Sequence, residues 1–198
     1  MKTQQWLPTI AVFLTMGVIL LGAYTPLTDA GLGCPDWPGC YGFLKVPKQE
    51  HHIAAAMEAF PERPLEAHKA WNEMVHRYFA GSLGLLIAAI FFVALLRKQS
   101  SKVIPTALLA LVVFQAALGM WTVTLNLLPL VVMGHLLGGF TLLSLLAVYW
   151  LKLHPDYRVY EPQLISLKPF AMLAIVVLTV QIALGGWTAA NYAALACI

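Results

Sequence analysis

Charge is what this sequence has least of. Only 11% of its 198 residues are Asp, Glu, Lys or Arg, while 60% are hydrophobic. A soluble domain needs more charge to stay dispersed, so a bilayer is the expected solvent and no separate soluble domain is expected. A formal net charge of +3 is too weak a field to suggest nucleic acid as a partner. Cysteine is scarce as well: there are three, an odd number that leaves one without an intrachain partner.

What is present is a set of long apolar runs. Five stretches approach the roughly 20 residues needed to cross a hydrocarbon core: Thr9–Leu27, Met74–Leu96, Val103–Leu125, Leu127–Leu151 and Phe170–Ala190. The first, third and fifth contain no charged side chain, and the fourth has His135 as its one ionisable imidazole. The fold class that follows is an all-α polytopic membrane protein. Lys2 before the first run also suits a signal peptide, but the length of the run and the internal repeat below favour a retained helix.

The few charges orient the bundle. Arg97, Lys98 and Lys102 crowd one short connection with no acid, and Lys152, Arg158 and Lys168 outnumber Asp156 and Glu161 in another. Short basic loops stay inside. The N-terminus is therefore expected in the cytoplasm, with the C-terminus and the long first loop (residues 28–73) on the outer side of the inner (plasma) membrane. Cys34 and Cys40 fall in that loop, in a segment bent by Pro35, Pro38 and Gly39. In an oxidising compartment a disulfide is their expected state, either as a staple or as a redox-active pair. Cys197 is left over.

The chain also repeats itself. Residues 19–34 and 182–197 share Ile, Leu, Gly, Thr, Ala, Leu and Cys at the positions of Ile19, Leu21, Gly22, Thr25, Ala30, Leu32 and Cys34. A shorter echo links Gln115, Leu118, Gly119, Trp121 and Thr122 with Gln181, Leu184, Gly185, Trp187 and Thr188. The fifth helix thus restarts the pattern of the first. Residues 1–151 read as a complete four-helix unit, and 152–198 as a linker plus the opening helix of a second, incomplete one.

The chemistry gathers at Glu73-Met-Val-His76-Arg77, which opens the second helix, and at His135 in the fourth. Glu73 and His76 are three apart on one helical face. Both histidines are expected near the outer ends of their spans, an arrangement suited to axial ligation of haem iron, although a membrane histidine can also simply bond a neighbouring helix. Gly134, Gly138 and Gly139, with Gly81 and Gly84, remove bulk around them. Arg77 suits a haem propionate or merely snorkels. His51, His52, His68 and His154 read as ordinary loop residues, and no other metal site is expected.

Together, Gly-Leu-Gly-Cys34-Pro-Asp-Trp-Pro-Gly-Cys40, Glu73-x-x-His76-Arg77, Gln115-x-x-Leu-Gly-x-Trp-Thr122 and the single His135 resemble haem A synthases along essentially the whole chain. The resemblance implies an oxidoreductase of two four-helix halves that oxidises the C8 methyl of haem O to a formyl, through alcohol and gem-diol stages, for terminal cytochrome oxidases. It implies His76 and His135 as ligands of the substrate haem, Glu73 as the acid needed for oxidation, and Cys34 with Cys40 as the outer cysteine pair. It also implies a haem b held by two histidines of the second half, on helices absent from this sequence, so the activity is expected to be incomplete in a chain truncated in this way. Expected partners are haem O, membrane lipid, a second copy of the chain, and haem O synthase or oxidase-assembly proteins. Two rival readings are a b-type haem electron carrier and an outer-face disulfide–quinone oxidoreductase.

Overall fold

The computed structural model describes residues 3–97, 101–157 and 162–191. In chain order the helices are α1 (Thr3–Leu27), α2 (Glu50–Ala59), α3 (Ala67–Leu96), α4 (Val103–Thr124), α5 (Pro129–Leu153) and α6 (Lys168–Ala190), with 3-10 turns at Pro155–Tyr157 and Pro162–Leu167. All except α2 are long and apolar enough to span a bilayer. Among the described residues the one β interaction is an isolated bridge between Cys40 and Phe43. The all-α, multi-pass reading holds.

Four of the helices close a ring: α1 lies against α3 and α5, and α4 lies against the same two. Its apolar centre is built from Ala11 of α1, Leu83, Ile87 and Ile90 of α3, Leu108 of α4, and Leu142 and Leu146 of α5. Large apolar side chains elsewhere on these helices, such as Phe13, Leu20, Leu85 and Phe92, point outward, as they must where lipid is the solvent. The α4–α5 connection is tight because Asn126 and Leu127 both take left-handed backbone angles, φ 49° and 57°, which Asn tolerates and Leu seldom adopts. Helix α6 packs on α5, where Gly186 lies so close to Met133 and Leu136 that a Cβ would collide with both.

Contacts at the two ends of the ring fix which loops share a side. At one end Arg63 of the long loop donates to Asn126 of the α4–α5 turn, and Gly31 seats against Leu127. At the other, Trp150 Nε1 donates to Thr9 Oγ1 at 2.8 Å and Gln5 Nε2 donates to the Leu153 carbonyl at 3.1 Å.

Several boundaries differ from the sequence reading. Helix α3 begins at Ala67 rather than Met74, because its polar first turns are buried by the loop through Ala70 and Met74. Glu73 therefore sits within a formed helix instead of opening it, and the long first loop ends at Glu66 and contains the unexpected helix α2. Helix α1 starts at Thr3, α5 at Pro129 and α6 at Lys168. His154 is not an ordinary loop residue: it is buried at the end of α5, stacked on Trp150 with ring centroids 4.3 Å apart. Arg158, Glu161, Lys98, Lys2 and Cys197 lie outside the described residues.

Candidate functional site

The long loop forms a small second core over the first turns of α3, made by Cys34, Cys40, Tyr41, Val46, Ala56, Ala70 and Met74. Its cysteine turn is shaped from within by Asp36, whose carboxylate accepts the amides of Tyr41 at 2.6 Å and Gly42 at 2.8 Å. The Cys34 and Cys40 sulfurs meet, with Cα atoms 4.8 Å apart, a separation that a disulfide spans. Gly33 is pressed onto the α3 backbone at Lys69 and Ala70, leaving no room for a Cβ. Burial pushes the Tyr41 phenol above its ordinary pKa, against the opposing pull of Arg63.

Glu73 and Arg77 bolt this turn to α3. One Glu73 oxygen accepts the Cys34 amide at 2.9 Å, and the other pairs with Arg77. Arg77 in turn donates to the carbonyls of Asp36 at 2.8 Å, Pro38 and Gly39. Both side chains are nearly buried, at 8% and 11% exposure, where an ion pair needs its remaining groups satisfied by further hydrogen bonds. The structure thus sets Arg77 on the cysteine turn. The spacing of Glu73 and His76 was legible in the sequence. The carbonyl-binding role of Arg77 was not, since it depends on the loop folding back.

One turn further into the membrane, His76 and His135 face each other across the bundle. Their ring centroids are 6.4 Å apart and the rings are nearly perpendicular, at 85°. Two imidazoles sharing one metal ion at about 2 Å each have centroids about 6 Å apart, so the pair fits an axial-ligand arrangement. Nδ1 of each ring is buried without a hydrogen-bond partner, a costly state unless a ligand completes it. The ring of His76 is approached by the Val18 backbone and that of His135 by the Gln115 backbone. Among the described residues no three His, Cys, Asp or Glu side chains gather as a metal cluster.

Of the glycines singled out in the sequence, Gly138 makes room for a side chain, that of Gln115, while the glycine pressed most closely on a histidine ring is Gly22. A Cβ at Gly22 would stand 3.0 Å from His76 Cε1, and one at Gly119 would stand 3.5 Å from His135 Cε1. Gly81 and Gly84 have open space before them, and Gly134 makes ordinary contact with Leu118. Gly138 is filled by the side chain of Gln115. His51 and His52 lie in α2, against each other and Phe43, and His68 lies in the first turn of α3.

A family model described as "Cytochrome oxidase assembly protein" matches residues 5–198. A haem A synthase of Shewanella oneidensis is 53% identical over 97% of this chain and 58% of its own length. The chain belongs to the haem A synthase family. More distant haem A synthases come from Rhizorhabdus wittichii, 27% identical over 93% of the chain and 58% of the relative, and from Granulibacter bethesdensis, 27% identical over 96% and 56%. The chain therefore spans somewhat under three fifths of the length of these relatives. No solved structure matches it. Membership of the haem A synthase family favours neither rival reading, the b-type electron carrier or the disulfide–quinone oxidoreductase.

Proposed function

We propose that this chain binds haem O between α3 and α5 and serves its conversion to haem A, the C8 methyl becoming a formyl group. The observation that carries the reading is the His76–His135 pair: perpendicular rings 6.4 Å apart, each with a buried, unpartnered nitrogen. The reaction class, that of an oxidoreductase, is taken from the resemblance to haem A synthases. Overall, the methyl and one water become the formyl with release of four protons and four electrons. The resemblance assigns their onward passage to a haem b, on two histidines of a second half.

Bound haem supplies the redox chemistry, and the chain supplies placement. His76 and His135 hold the iron and fix the macrocycle between two helices of a rigid ring. Glu73, one turn from His76, is the acid nearest the pair along α3. It serves as a proton acceptor for the oxidation, and its bonds to Arg77 and the Cys34 amide tie that step to the cysteine turn. Cys34 and Cys40 form a disulfide that keeps the turn, and with it the two partners of Glu73, in place. Arg77 acts as the clamp between them.

The remaining assignments follow the same reading. Residues 1–151 act as the substrate-haem unit, with α6 as the first helix of a second unit. The cysteine turn lies on the outer side of the plasma membrane, where oxidation of the thiols is maintained. The test is reconstitution of purified protein with haem O, read by optical absorption. A low-spin spectrum that disappears or turns high-spin in both His76→Ala and His135→Ala is the expected result. A spectrum untouched by either substitution would remove the pair from the iron and the proposal with it.

A further inference from the structure

Gln115 is a polar side chain in the middle of the otherwise charge-free α4, 6% exposed, and its Nε2 is buried with no hydrogen-bond partner. An amide donor left unpaired in so apolar a place is costly, and polar groups inside a membrane span mark functional sites by default. The space it occupies is specially made: a Cβ on Gly138 of α5 would collide with the Gln115 amide. Gly138 lies three residues beyond His135, and Gly119, four beyond Gln115, lies against the His135 ring. The Gln115 amide is thus placed about one helical turn, ~5.4 Å, deeper in the bundle than the iron-binding nitrogens. The backbone of the same residue approaches the His135 ring.

We infer that Gln115 is a substrate-contacting residue that donates a hydrogen bond to a neutral oxygen on the membrane-embedded edge of the tetrapyrrole. The inference rests on the haem-binding reading of the histidine pair. A separation of one turn suits a group that reads the rim of a flat ring whose centre is held by His135. A neutral donor at this depth suits an uncharged acceptor, since a propionate carboxylate there would carry a large desolvation cost. Two neutral oxygens meet that description: the hydroxyl of the hydroxyethylfarnesyl substituent, present in haem O and haem A, and the formyl, present in haem A alone. Haem B has neither, so Gln115 gives the site a means of choosing among haems.

The experiment titrates haem B, haem O and haem A into the full chain in detergent, for wild type, Gln115→Leu and Gly138→Ala. The Leu substitution keeps the volume and drops the donor. The added methyl in Gly138→Ala displaces the amide without removing it. Loss of one neutral hydrogen bond corresponds to about three- to tenfold in Kd. Weakening of that size for haem O and haem A with haem B unchanged supports the inference with the hydroxyl as acceptor. The same weakening for haem A alone supports it with the formyl. Equal weakening for all three haems, or for none, overturns it. Wild-type protein that binds no haem at all would instead defeat the histidine-pair reading and take this inference down as its dependant.

Discussion

Glu73 binds two partners of opposite kind, the backbone amide of Cys34 and the guanidinium of Arg77. Glu73→Ala leaves a nearly buried cation without its counter-charge, which costs about 3–5 kcal/mol, so the thermal midpoint of purified protein in detergent should fall by several degrees. Glu73→Gln keeps an acceptor for the amide and should melt closer to wild type, retain bound haem, and yet support little haem A formation in cells that supply the rest of the pathway. Normal haem A accumulation with Glu73→Gln would remove the residue from the chemistry. His76 and His135 were legible in the sequence because an ionisable group in an apolar run stands out, and Glu73 through its spacing from His76 and the family resemblance. Gln115 was visible only as part of a repeated motif. The signal that could have singled it out was its amide standing alone in a span without charge. Gly22 and Gly119 escaped for a different reason, since which ring a glycine faces depends on how helices are rotated in the bundle.

Among the elements, the five spans could be read from hydrophobicity because lipid imposes both length and composition on them. Helix α2 could not, being ten residues, too short to span a bilayer, and held by the loop core through Ala56. The start of α3 was misplaced for the same reason: hydropathy locates the membrane boundary, whereas this helix continues past it into the loop. That loop should respond as a unit. Cys34→Ser with Cys40→Ser removes a short closed loop worth about 2–3 kcal/mol, and limited proteolysis should then cut residues 28–66 faster while the ring of helices stays resistant. Equal cutting rates would show that Arg77 and Glu73 suffice to hold the turn. Tyr41 gives the same unit an alkaline limit. Because burial raises its folded pKa, its contribution is complete below about pH 10 and is lost as pH rises through the raised value. An alkaline titration followed by tyrosinate absorbance should show one late phenol that Tyr41→Phe deletes.

At the scale of the whole molecule, the orientation rests on which connections are basic, and the fold places the long loop and the α4–α5 turn at one end through Arg63 and Asn126. Thiol labelling of intact cells should therefore reach Glu62→Cys and miss Arg97→Cys until the membrane is opened. External labelling of residue 97 would invert the topology. Helix α3 carries a consequence of its own. Its 30 residues span about 45 Å at 1.5 Å each, against a hydrocarbon layer of about 30 Å. The surplus of about ten residues is the stalk from Ala67 that supports the cysteine turn, and on that reckoning His76 stands at its foot, at the edge of the lipid. Bilayer thickness thus sets how far the pair lies from bulk water. In short-chain lipids the acyl region thins, the stalk emerges further, and His76 and His135 come closer to the headgroups. The membrane becomes a dial on the wetness of the histidine pair, turned by acyl-chain length without any change in the protein.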